Sequence, residues 1–61
     1  MSKLKITIEG EQGSGKSITA RTIAKALNKA SVSVTVRDGG DVEKFPTKHP
    51  VREAVIETRQ G

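Results

Sequence analysis

ITIEGEQGSGKSITA, residues Ile6 to Ala20, decides how the rest of the chain is read. Leu4, Ile6 and Ile8 alternate with Lys3, Lys5, Thr7 and Glu9, a period of two that predicts a strand with one apolar face. Gly10 to Gly15 is a glycine-rich turn. From Lys16 to about Ala30 the apolar positions Ala20, Ile23, Ala24, Leu27 and Ala30 fall on one stripe, which predicts a helix with a buried face. The turn and the helix start, Gly10-Glu11-Gln12-Gly13-Ser14-Gly15-Lys16-Ser17, match G-x-x-x-x-G-K-[ST] without a mismatch. At average glycine usage, chance gives such an octapeptide in roughly one window in 10⁴ to 10⁵. The context is also the one the motif needs, a strand before it and a helix after it.

The residue types suit a phosphate. Glycines allow positive φ, so successive N–H groups can turn inward and the backbone can approach phosphate oxygens. The first N–H groups of the helix lack helical partners and carry the positive end of its dipole. Lys16 would reach the β and γ phosphates of ATP or GTP, and the Ser17 hydroxyl would ligate Mg²⁺. Candidate nucleotide-binding residues are therefore Gly10, Glu11, Gln12, Gly13, Ser14, Gly15, Lys16, Ser17, Ile18 and Thr19. The alternative is an incidental glycine-rich turn.

Downstream, Val32, Val34 and Val36 alternate with Ser33, Thr35 and Arg37, which predicts a second strand. Arg37 to Asp41, RDGGD, is a loop signal. Residues 41–50 are expected to be a loop, with Pro46 and Pro50 bracketing Thr47-Lys48-His49. Residues 51–61, with Ala54-Val55-Ile56, fit a third strand and tail. A strand, a helix and a strand in that order predict a parallel crossover. Parallel sheets covered on both faces read as continuous apolar runs, whereas the first two strands here are apolar on one side only. The expected fold is thus α/β, one domain over residues 1–61. It is a minimal two-layer sandwich, a small, mainly parallel three-stranded sheet with one helix on one face, complete in itself. Its bare face would show Lys3, Lys5, Thr7, Ser33, Thr35 and Arg37. That face is either solvated or a docking surface for a second protomer, a larger protein or nucleic acid. Ile18 lies opposite Leu27 on the helix and is either an ordinary exposed residue or a partner contact.

Composition narrows the rest. The chain has 61 residues, too few for more than one domain and enough for only a marginal core. There is no cysteine, hence no disulfide and no thiolate metal site. Phe45 is the only aromatic among Phe, Tyr and Trp, so about a dozen Val, Ile and Leu must form the core. A formal charge of +4 and a pI near 9.9 favour anionic partners, or simply a soluble basic surface. No apolar run approaches the ~20 residues of a membrane span, and no apolar segment follows the N-terminal lysines as a secretory signal requires, so a cytoplasmic protein is expected.

At the glycine-rich octapeptide the chain resembles the P-loop NTPase superfamily. Within it, the look is that of small nucleotide kinases such as thymidylate kinase, over Lys3 to about Asp41. In that family a strand ends in Glu-Gly before the loop, as Glu9-Gly10 does here. A second strand ends in Thr-Arg-Glu-Pro-Gly-Gly, against Val36-Arg37-Asp38-Gly39-Gly40 here, which lacks the proline. The resemblance implies that Arg37 contacts a substrate phosphate. It also implies an α-phosphate contact after Ser17, where relatives carry Thr or Ser and this chain carries Ile18. Phosphoryl transfer needs more than the loop: a carboxylate for Mg²⁺, a group that orients the nucleophile and a cation over the γ-phosphate. Glu57, after an apolar strand, Asp38 and Asp41 are candidate carboxylates, or else a solvated strand end and turn formers. Arg52 and Arg59 are candidate γ-phosphate partners. His49 is assigned no role. The expectation is nucleotide-phosphate binding, with weak or partner-dependent hydrolysis or transfer. The alternatives are an accessory protein that docks on a larger one and a basic nucleic-acid-binding module.

Overall fold

The computed structural model describes residues 3–11 and 13–60. The elements, in chain order, are β1 (Lys3–Gly10), α1 (Lys16–Lys29), β2 (Val32–Asp38), β3 (Asp41–Phe45) and β4 (Arg52–Gln60). The chain is a small α/β domain with one helix. Its sheet has four strands in the order β1-β4-β2-β3.

One expectation needs correction. Asp41–Phe45, inside the stretch expected to be a loop, is a strand antiparallel to β2, so the sheet is four-stranded and mixed. The cause is the turn between them. Gly39 and Gly40 connect the paired residues Asp38 and Asp41, and Gly39 has φ 65°. A two-residue connection with positive φ at its first position only is the type II′ pattern, whose twist suits a hairpin. The last strand, β4, is Arg52–Gln60. β4 lies between β1 and β2 and runs parallel to both. Ala54 and Ile56 face the helix and are buried, and Val55 between them is half-buried on the other face. That two-sided burial is what a central parallel strand requires.

The core lies under α1. Val32, Val34 and Val36 of β2, Ala54 and Ile56 of β4, and Ala20 and Ala24 of α1 are its buried residues. The two alanines are fully buried, so the helix sits close to the sheet. Ile6, Ile8, Ile23, Leu27 and Phe45 pack around this centre and are only partly buried. Ala30 and Ser31 close the helix, with their N–H groups donating to Leu27 O at 2.9 Å and Asn28 O at 3.0 Å. Ser31 holds the left-handed position after the cap, at φ 63°. The Asn28 amide then ties the helix to both neighbouring strands, donating to Val32 O at 2.8 Å and Phe45 O at 2.9 Å.

The opposite sheet face is bare, as the one-sided strands predict, but it is not simply basic. The register adds Glu53 and Glu57 of β4 between Lys3 and Lys5 on one side and Ser33, Thr35 and Arg37 on the other. Two acidic residues therefore stand in its middle strand with Val55 between them, and the Lys5 ammonium lies 3.8 Å from the Glu57 carboxylate. No helix among the described residues is long and apolar enough to cross a membrane.

Candidate functional site

The three parallel strands end on one side of the molecule, at Gly10, Asp38 and Gln60. The glycine-rich loop leaves β1 there and enters α1. In open α/β sheets that edge, outside the carboxyl ends of the strands, is where ligands bind.

The loop is shaped by three glycines for two different reasons. Gly13 and Gly15 have φ 82° and 84°, a conformation that costs other L-residues about 1–2 kcal/mol. Gly10 leaves room instead: a Cβ there would lie 2.8 Å from Ser14 Oγ, which would have to turn aside. That hydroxyl donates to Glu11 O at 2.7 Å, and Ser14 N–H donates to the same oxygen at 3.2 Å. Residues 11–14 thus form a tight turn. Gln12, part of the expected site, lies outside the described residues.

Lys16 closes the loop. Its ammonium donates to Gly10 O at 2.8 Å and Glu11 O at 2.7 Å. An ammonium has three donors, so one is left over for an anion among the described residues. Gly15 caps α1 in the left-handed conformation, with no side chain bonded to the first N–H groups and no acidic residue in the first turn. The positive end of the helix is therefore not compensated from within the helix.

Beside the lysine stands a hydroxyl–carboxylate pair. Ser17 Oγ donates to Asp38 Oδ2, and Thr58 Oγ1 donates to Asp38 Oδ1 at 2.8 Å. Both carboxylate oxygens are thus engaged. The hydrogen bond from Ser17 and then that from Thr58 hold the Asp38 carboxyl below its usual range, and the charges of Arg21 and Lys16 act in the same sense against partial desolvation. Arg21, one turn along α1 from Ser17, donates from Nε to Glu43 Oε1 at 2.9 Å. That bond, the charge of Glu43 and the more distant Asp38 and Asp41 raise the guanidinium pKa. Gly13, Gly15, Lys16, Ser17, Ile18 and Asp38 line a hollow of about 460 Å³.

The structure sorts the candidate residues. Gly10, Glu11, Gly13, Ser14, Gly15, Lys16, Ser17, Ile18 and Asp38 come together. Thr19 is exposed, and its N–H is spent on Gly15 O at 3.0 Å. Glu57 does not join them. It lies on the bare face with Lys5, because alternation along β4 sends it away from Ile56 and Thr58. Arg37 is likewise exposed on the bare face, opposite Glu57. Arg59 stands beside Glu9 on that face, and Arg52 begins β4 at the far end of the sheet. Asp41 faces Asp38 across the hairpin and is exposed. Thr58 and Arg21 were not among the candidates, yet both act on Asp38. Their signals were the face shared with Ala54 and Ile56, and the four-residue step from Ser17.

The arrangement sets a cation, unpaired helix N–H groups and two hard oxygen groups around one hollow, which suits an anion accompanied by a small divalent cation. No family model, curated protein or solved structure matches the chain.

Proposed function

We propose that the chain binds the phosphates of ATP or GTP with Mg²⁺ in the loop between β1 and α1, as a much-reduced member of the P-loop NTPase superfamily. The observation that carries this is the convergence of the Lys16 ammonium with the Ser17–Asp38 pair on one hollow. The donor set fits the metal. Mg²⁺ takes oxygen ligands and is held by one or two carboxylates plus substrate phosphates rather than by an all-protein cage. Ser17 and Asp38 would hold the ion, which when bound neutralises charge on the β and γ oxygens. Lys16 would keep its two carbonyl bonds and turn its third proton to the phosphate. Thr58 would keep the Asp38 carboxylate aimed at Ser17. Hydrolysis or transfer would be weak or partner-dependent, since Glu57, Arg37, Arg52 and Arg59 face elsewhere.

A thermal shift with Mg-ATP and Mg-GTP tests this. A ligand at 100 times its Kd stabilises by about 2.7 kcal/mol. The wild type is expected to shift, Lys16→Ala to lose the shift, and Asp38→Asn to keep a smaller shift that no longer depends on Mg²⁺. No wild-type shift at millimolar nucleotide refutes the proposal.

A second reading, docking onto a larger protein, is favoured by Ile18, which is 71% exposed at the rim of the same hollow. Ile18→Ala is expected to weaken capture of such a partner, and Lys16→Ala, which abolishes the nucleotide shift, to leave that capture intact. The nucleic-acid reading has least support, because Glu53 and Glu57 interrupt the basic residues of the bare face.

A further inference from the structure

β1 is an edge strand of eight residues, and its outer side has no neighbour among the described residues. Such an edge presents a row of N–H and C=O groups open to another strand. The apolar side of β1 is also poorly covered. Leu4 is 44% exposed, and Ile6 and Ile8 are only half-buried. Ile23 and Leu27 of α1, packed against the core, are themselves only half-buried. An open backbone edge and an uncovered apolar row thus coincide.

The sequence of β1 says what fits there. Set antiparallel to itself with Ile6 on the two-fold axis, Lys3 lies opposite Glu9, Leu4 opposite Ile8, Lys5 opposite Thr7, and Ile6 opposite Ile6. Every apolar residue meets an apolar one on the helix side. Each terminal lysine meets a glutamate on the bare side. A shift of one residue would place apolar residues against polar ones and lose the match. The neighbouring strand extends the pattern, since Lys3 pairs with Glu53 and Glu9 with Arg59. Across the junction the row would read Glu53, Lys3, the partner's Glu9, the partner's Arg59, alternating in sign throughout. Lysines on an edge strand commonly discourage pairing. Here each terminal one has an acidic counterpart at the pairing position.

We propose that the chain forms a symmetric homodimer through antiparallel pairing of β1 with its copy, in register about Ile6. The product is one continuous eight-stranded sheet with both helices on the same face. The Leu4, Ile6 and Ile8 rows join on the helix side, between the two helices. The glycine-rich loops lie at opposite ends, so each phosphate site is built from one chain.

Three measurements decide it. The 6.5 kDa chain is expected to sediment as a dimer at the upper end of a series from about 1 μM to 1 mM. Mass that stays monomeric throughout overturns the proposal. Lys3→Glu and Glu9→Lys each place like charges opposite one another twice and are expected to weaken the dimer about tenfold or more. Mixed in equal amounts, the two variant chains are expected to form a heterodimer, because each then supplies what the other lacks. Dimers that ignore both substitutions, or variants that do not recover on mixing, overturn the register. Should a charge variant fail to fold, cysteine pairing decides alone. The chain has no cysteine, and residues directly opposite in an antiparallel pair stand ~4.5–5.5 Å apart at Cα, within disulfide reach. Ile6→Cys is expected to cross-link on mild oxidation and Ile8→Cys, which faces the partner's Leu4, is not. Equal cross-linking, or none at position 6, refutes it.

Discussion

Asp38 owes its environment to one period of two. Val32, Val34 and Val36 turn inward, and Asp38 continues their line to the end of β2, beneath the start of α1. Its two hydroxyl donors and the nearby cations favour the carboxylate, so its pKa is depressed in the folded state. The sign follows by linkage. The stability it contributes is present above the ordinary aspartate pKa of 3.8 and is lost as pH falls through the lower folded value. Wild-type Tm is therefore expected to drop on acidification below about pH 4, and Asp38→Asn to flatten that part of the curve. An unchanged acid limb would show that Asp38 is not held as described. Ser31 is the opposite case, a residue whose conformation costs stability. At φ 63° it occupies a position glycine normally fills. Ser31→Gly is expected to stabilise by about 1 kcal/mol, read as a rise in Tm of roughly 4–8 °C for a domain of this size. Asp38 was legible in part. The alternation that gave β2 also gave Asp38 its side, but its hydroxyl partner Thr58 depends on strand order, which one sequence does not display.

Elements differ in how loudly their residues announce them. The glycine-rich loop and α1 were plain, because conformation, spacing and apolar stripe agree there. β3 was not. Asp41-Val42-Glu43-Lys44-Phe45 puts Val42 and Phe45 on opposite faces and fills the rest with charge, so it has no period of two to detect. Its existence follows instead from the Gly39-Gly40 turn and from two ties to α1, the Asn28 amide and the Arg21–Glu43 pair. The pair is exposed and contributes little on its own. The amide matters more, because one side chain satisfies two carbonyls. Asn28→Ala is expected to cost about 1–3 kcal/mol and to expose Phe45 N–H and its neighbours to hydrogen exchange before the rest of the sheet. A loss confined to global stability, with β3 protected as before, would contradict this role. Glu57 taught the same lesson in reverse. An acidic residue after an apolar run looks like a metal ligand, yet alternation sends it to the face with Lys5.

At the scale of the whole molecule, the order β1-β4-β2-β3 sets the terms on which the chain can fold. β1 and β2 are joined by α1 but share no hydrogen bonds, since β4 lies between them. Leu4 meets Ala54, and Val34 meets the same residue from the other side. Until β4 enters, α1 rests on two separate strands and its alanines have no Ile56 to pack upon. A ribosome delivers this strand after every other element described, so the core cannot close until residues 52–60 have been made. The same gap can be filled from outside. A fragment ending at Pro50 is expected to be unfolded by circular dichroism, and a peptide of residues 51–60 to restore helix signal when added in excess. The central slot makes this domain a two-piece reporter in principle, with the glycine-rich loop on one piece and the strand that completes it on the other.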